Sequence, residues 1–194
     1  MLEISTQNYA RKFPKYPAVI EDPTTGWVHG TWMIGNNFRS KRGYYGEYPP
    51  SFLNRVGALI PNPRTVLHLF SGVVEKGTWD KVEETTLDNR EDLEPDIVAD
   101  AHKISEVIAP DSFDLIVADP PYSEEDAKHY GSPMISRNKV VAQCYSILQQ
   151  GGLLAWLDMV YPMFRKKEIK LIGTIGIWRS TNHRFRGLSI FRKL

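Results

Sequence analysis

Four predicted strands in this chain end in groups that can hold a polar ligand. Residues 65–70 (TVLHLF) run into Ser71-Gly72, and residues 84–87 run into Asp88. Residues 96–99 (DIVA) run into Asp100, and residues 113–118 (FDLIVA) into Asp119-Pro120-Pro121-Tyr122. Taken singly, each has an ordinary explanation: a glycine after a strand is usually a turn, and an aspartate there often caps a helix. Their recurrence after successive strands points instead to a ligand, because open α/β sheets bind ligands outside the carboxyl ends of their strands. The residue types suit a nucleoside. Gly72 admits close approach of the backbone. Asp88 can accept from ribose hydroxyls, and Asp100 can accept from the amino group of an adenine.

Those features alone do not separate S-adenosylmethionine (SAM) from a nicotinamide dinucleotide. The tetrapeptide Asp119–Tyr122 does. An exocyclic base amine is a poor nucleophile because its lone pair is delocalised into the ring. A carboxylate and a backbone carbonyl can bind both amine hydrogens, localise the lone pair and aim it at a methyl sulfonium. Pro120 and Pro121 fix a rigid backbone path and donate no hydrogen bond. Tyr122 directly after them can stack on a base taken out of its helix. A nicotinamide enzyme would want G-x-G-x-x-G after the first strand of the unit, and none is present.

The elements that must position these groups read as an α/β domain. Strands are predicted over residues 65–70, 84–87, 96–99, 113–118 and 153–157, with two more over 173–178 and 188–191. Residues 51–60 carry Phe52, Val56 and Leu59 at helical spacing and are closed by Pro61 and Pro63. Residues 135–150 form a second helix, with Val140, Val141, Cys144, Ile147 and Leu148 on one face and Gly151-Gly152 as its stop. Residues 27–38 (WVHGTWMIGNNF) read as a short hairpin. The alternation predicts a Rossmann-like, mainly parallel seven-stranded sheet closed by an antiparallel edge hairpin. Residues 1–46 are expected to be an irregular extension and a candidate substrate-binding part. Residues 47–194 are expected to form the catalytic domain of a single globular unit.

The 194 residues suffice for one domain with a core, and 42% hydrophobic with 24% charged residues is ordinary for a globular chain. No apolar stretch is long enough for a membrane span, and the N-terminus lacks the apolar region of a secretory signal, so a cytoplasmic location is expected. The one cysteine, Cys144, is expected in the core, and five scattered histidines offer no metal-ligand spacing. The net charge of +1 conceals a polarity. Residues 75–127 hold 17 acidic and 4 basic side chains, whereas residues 165–194 hold 9 basic and 1 acidic. That distribution suggests a basic surface for a polyanion beside an acidic cofactor half.

On these motifs the chain resembles the class I SAM-dependent amino-methyltransferases, the group that includes DNA adenine-N6 and cytosine-N4 methyltransferases. The resemblance spans roughly residues 45–152. Phe70-Ser71-Gly72 is similar to the start of the family's Phe-x-Gly-x-Gly cofactor loop, Asp88 to its ribose-binding acid, and Asp100-Ala101 to its adenine contact. Asp119, Pro120, Pro121 and Tyr122 match the catalytic tetrapeptide, with Asp119 also bordering the cofactor. Tyr48 and Pro50, in Tyr48-Pro49-Pro50-Ser51-Phe52-Leu53, resemble the segment beside the methionine end of SAM. Two departures stand out: Val74 replaces the second loop glycine, and only 15 residues separate Gly72 from Asp88, so the helix between them must be very short or distorted.

The resemblance implies SAM as cofactor and methyl transfer to an exocyclic base amine, with adenine N6 of DNA favoured. Cytosine N4, RNA and a protein glutamine remain open as acceptors, as does an inactive nucleic-acid-binding protein of the same fold. Asp119 leans toward DNA, since RNA and glutamine enzymes more often carry Asn-Pro-Pro-Tyr. The expected nucleic-acid surface is the turn over residues 178–187, with Arg179, Asn182, His183, Arg184 and Arg186 projecting outward. Lys41 and Arg42, before Tyr44-Tyr45, form the opposite wall.

Overall fold

The computed structural model describes residues 1–35, 48–131, 133–179 and 185–194. The anticipated strands are all present: β3 (Thr65–Leu69), β4 (Glu83–Asp88), β5 (Ile97–Val98), β6 (Phe113–Ala118), β7 (Leu148–Asp158), β8 (Ile169–Arg179) and β9 (Phe185–Lys193). Two more precede them, β1 (Ile20–Glu21) and β2 (Val28–Ile34), so the described residues give nine strands rather than seven. Their order is β1-β2-β8-β9-β7-β6-β3-β4-β5. Pairing is parallel from β7 through β6, β3 and β4 to β5, and again between β2 and β8. The β8–β9 hairpin is antiparallel, and β9 also runs antiparallel to β7.

The N-terminal part is more ordered than its prolines and glycines suggest. A short helix α1 (Thr6–Lys12) is capped by the Ser5 hydroxyl, which accepts from the Asn8 amide at 3.1 Å. The hairpin read over residues 27–38 is instead β1 with β2, and β2 goes on to pair with β8 across seven residue partners. Strands β1 and β2 therefore belong to the same sheet as the rest. Residues 36–38 of that expected hairpin lie outside the described residues.

Each face of the sheet carries one apolar layer. Helix α2 (Phe52–Leu59), with α1, packs Tyr9, Phe52, Val56 and Leu59 on Val66, Leu115, Val117, Trp32 and Ile177. Helix α4 (Arg137–Ile147) covers the other face, placing Val140, Val141, Cys144 and Ile147 on Leu67, Ile116, Leu154 and Trp156. Cys144 is fully buried there, and desolvation pushes its thiol up. Helix α4 stops at Ile147, before the Gly151-Gly152 pair expected to end it. Those glycines lie inside β7, where Gly151 at φ +74° takes up the irregularity that shifts register against β6.

No helix forms between β3 and β4, in keeping with the short spacing. Residues 70–82 cross as a loop pinned by buried Glu84. Its Oε1 accepts from the amides of Gly77 (2.9 Å) and Trp79 (3.3 Å), and its Oε2 meets His68 Nε2 at 2.9 Å. The carboxyl ends of β2 to β8, β9 excepted, lie along one edge of the sheet, and β9 enters from that edge.

Candidate active site

A cleft opens along that edge over β3, β4 and β5, lined by Phe70, Gly72, Asp88, Asp100 and Ala101 and by Asp119 and Pro121. Seven of the anticipated residues thus meet in one place. Gly72, at φ +53°, turns the chain so that its amide donates to Asp88 Oδ2 at 3.0 Å, while the Arg90 amide donates to Oδ1 at 3.1 Å. Two backbone donors therefore fix the carboxylate at the end of β4. Ser71 is buried, with no partner for its hydroxyl among the described residues.

Asp100 caps the 3-10 helix Ala101–Glu106, and its Oδ1 accepts from the His102 amide at 2.9 Å. That amide bond, chief among the influences on it, holds the carboxyl below its usual range. The His102 ring completes the arrangement. Its Nε2 accepts from the Ser136 amide at 2.9 Å, so Nδ1 carries the proton given to Asp100 Oδ1 at 2.8 Å. His102 thereby ties the third strand end to the segment before α4, whose Pro133 and Ile135 form the far wall of the cleft.

The tetrapeptide Asp119–Tyr122 stands at the next strand end. Pro120 is buried, Asp119 and Tyr122 are half-buried, and the Tyr122 hydroxyl donates to Asp119 Oδ1. Burial pushes the Asp119 carboxyl up to about 6. Arg186, the Tyr122 hydroxyl and Arg179 pull it down, and Asp158 pushes it further up. The tetrapeptide is held from the next strand: Arg137 of α4 gives its Nε to Asp158 Oδ2 (2.6 Å), while its Nη2 serves both Asp158 Oδ1 (3.1 Å) and the Tyr122 carbonyl (3.0 Å). Asp158, 1% exposed, also accepts from Trp156 Nε1 at 3.2 Å. On the other side the Arg186 guanidinium lies 4.3 Å over the Tyr122 ring.

Tyr48 and Pro50 do not line the cleft. Tyr48 stacks on Phe52 and sends its hydroxyl to the Val117 carbonyl at 3.4 Å, on the α2 face of the sheet near Asp119. Arg186 does not project outward; it is 7% exposed, with no partner for Nε among the described residues. The reason is strand parity: Arg186 pairs with Ile177 on the face packed by α2, so its side chain turns inward. Arg179 is half-buried at the end of β8. Lys41, Arg42, Tyr44, Tyr45, Asn182, His183 and Arg184 lie outside the described residues. His102, Arg137 and Asp158 were not foreseen. The only trace of Asp158 in the sequence is its place directly after an apolar strand, the same sign that marked the other three aspartates.

No family model matches the chain, and no curated protein matches it by sequence. Solved structures do share the fold. TrmN from Thermus thermophilus aligns with a TM-score of 0.57 at 16% identity, over 79% of this chain and 52% of its own. The chain thus spans about half the length of TrmN. The 1,6-didemethyltoxoflavin-N1-methyltransferase of Burkholderia thailandensis aligns with a TM-score of 0.50 at 11% identity, over 73% of this chain and 76% of its own. The fold is the Rossmann-like fold of the methyltransferases.

Proposed function

We propose that this chain is a SAM-dependent N-methyltransferase acting on an exocyclic base amine, with adenine N6 of DNA as the acceptor that fits best. The observation that carries the reading is Asp119-Pro120-Pro121-Tyr122 at the mouth of a cleft edged by Asp88 and Asp100. The shared fold supports it, and the Burkholderia enzyme was solved with S-adenosylhomocysteine bound.

The cleft residues suit the cofactor. Asp88, pinned by two amides, faces the cleft where ribose hydroxyls would need a charged acceptor. Asp100 and Ala101 lie where an adenine would sit, and Phe70 and Gly72 border the donor end. When bound, SAM supplies the electrophilic methyl group. Asp119 accepts from the amine and so localises its lone pair. An incoming amine must first take over the acceptor now satisfied by the Tyr122 hydroxyl. The Arg137–Asp158 pair holds the Tyr122 carbonyl, so the loop is set before substrate arrives and little reorganisation is needed on binding.

Two substitutions separate the roles. Asp88→Ala should weaken SAM binding by about tenfold or more, because two hydroxyls lose a charged acceptor. Asp119→Ala should leave SAM affinity near normal and lower turnover by roughly a hundredfold or more, since its interaction is used in the transition state. Calorimetry with SAM and transfer of labelled methyl to DNA, RNA and protein provide the two readings. A fully active Asp119→Ala protein, or methyl uptake on a ring carbon, would overturn the mechanism.

A further inference from the structure

Beyond β7, the same sheet edge carries a second constellation. Trp178, at the end of β8, pairs directly with Phe185, the first residue of β9, and both are 47% exposed. Their ring centroids are 5.0 Å apart with planes inclined at 59°. Met33 of β2 is the next cross-strand partner of Trp178 and is also exposed. Direct partners share a face, so the three side chains form one row on the face opposite α2. The row is structurally prepared: the Phe185 ring lies on Gly176, so close that a Cβ there would come within 3.0 Å of it.

Two large rings left half in water cost free energy unless something covers them. Their setting indicates what does. Along the edge the order is the cleft over β5, β4 and β3, then Asp119 and Tyr122 after β6, Asp158 after β7, and Phe185-Arg186 and Trp178-Arg179 on β9 and β8. The arginines that follow the rings in sequence, Arg179 and Arg186, turn to the α2 face, so the row itself is apolar. Exposed aromatic rings in line with a site that acts on a base are what stacks the unpaired bases of single-stranded nucleic acid. The rings stand two to three strand spacings of about 4.8 Å from the tetrapeptide, a span of roughly three to four nucleotides of one strand.

We propose that Trp178 and Phe185 form a stacking platform for an unpaired DNA base a few nucleotides from the target base, so that the preferred substrate is single-stranded or locally opened DNA. This rests on the reading of the chain as a DNA base methyltransferase and narrows its substrate. The two rings stand half in solvent, so a base can stack on the exposed part of the pair. A duplex offers no free base face at this distance from the target, so it gains nothing from the platform.

Intrinsic fluorescence gives a direct test. Trp32, Trp79 and Trp156 are buried and Trp27 is half-buried, so Trp178 is the tryptophan most open to a stacking base. Titrating the full chain with a single-stranded oligodeoxynucleotide should quench its emission, and the blunt duplex of the same sequence should bind more weakly. The double variant Trp178→Ala/Phe185→Ala should lose about tenfold or more in affinity for the single strand. Its SAM affinity and circular dichroism should remain those of the parent. Trp178→Phe should keep the affinity and lose most of the quenching. Unchanged affinity in the double variant, tighter binding of the duplex, or tighter binding of the matching RNA strand would overturn the proposal. If the parent protein binds SAM but no nucleic acid at all, the proposed function falls with it. If the parent binds DNA and the double variant binds equally well, only the platform falls.

Discussion

At neutral pH Asp119 is mainly ionised, because its carboxyl titrates at about 6. Burial drives it there, and Asp158 reinforces the shift while Arg186, Tyr122 and Arg179 oppose it. Only the ionised form is a full acceptor for the substrate amine. The rate of methyl transfer at low substrate should therefore fall about tenfold per pH unit below 6 and level off above it. Tyr122→Phe keeps the ring but removes a hydroxyl that favours the ionised carboxylate, so its acid limb should move to higher pH. A pH–rate profile of the two proteins checks both statements; coincident midpoints would show that Asp119 is not the titrating group. Asp88, Asp100 and Asp119 were legible in the sequence because each closes a predicted strand. Arg137, and the meeting of Asp158 and Arg186 with it around Tyr122, were not, because only the fold brings them there, and nothing local announces that β9 lies beside β7.

A loop rather than a helix connects β3 to β4. Its 15-residue spacing was readable, but the pin that holds it was not, since His68 and Glu84 are core positions by pattern. Their pairing needs β3 beside β4 in register, with His68 opposite Thr86 and Val66 opposite Glu84. Glu84→Ala would orphan His68 and two loop amides inside the protein. A loss of roughly 2–4 kcal/mol in unfolding free energy is expected. SAM affinity should fall with it, because Gly72 sits on that loop. Denaturant unfolding and calorimetry measure the two effects. Glu84→Gln keeps the acceptor oxygen and should be milder. Strand β2 was hidden in the same way: its partner lies 145 residues further on, Val28 against Gly173, and pairing at that separation leaves no local pattern.

Across the whole molecule, the basic C-terminal stretch does not form one surface. Strands β8 and β9 run in opposite directions, so Arg165, Lys166, Lys167, Arg192 and Lys193 lie at the edge remote from the cleft. There Arg192 donates to the Leu2 and Gly151 carbonyls, and Lys193 pairs with Asp111. Arg179 and Arg186 alone among the described basic residues of β8 and β9 stand at the cleft edge. Lys166→Ala/Lys167→Ala should consequently leave DNA affinity and its salt dependence unchanged. Arg179→Ala should weaken binding and reduce the slope of log K against log salt by about one. Titrations at several salt concentrations decide it; a flattened slope in the lysine pair would move the DNA to the far edge. Charge counted along the chain was thus a sound sign of polarity and a poor guide to location. Among the described residues no helix is long and apolar enough to cross a membrane.

The place of β9 in the sheet sets the order in which the molecule can be made. It is the last strand in sequence but lies between β7 and β8, so a growing chain holds two unpaired strand edges until residues 185–193 leave the ribosome. Strands β1 and β2, made first, wait longest, because they dock only on β8. Until residues 185–193 are available, β7 and β8 each keep an unpaired edge at the seam of the sheet. Such a seam is a template for pairing with another chain, and the final nine-residue strand is what closes it.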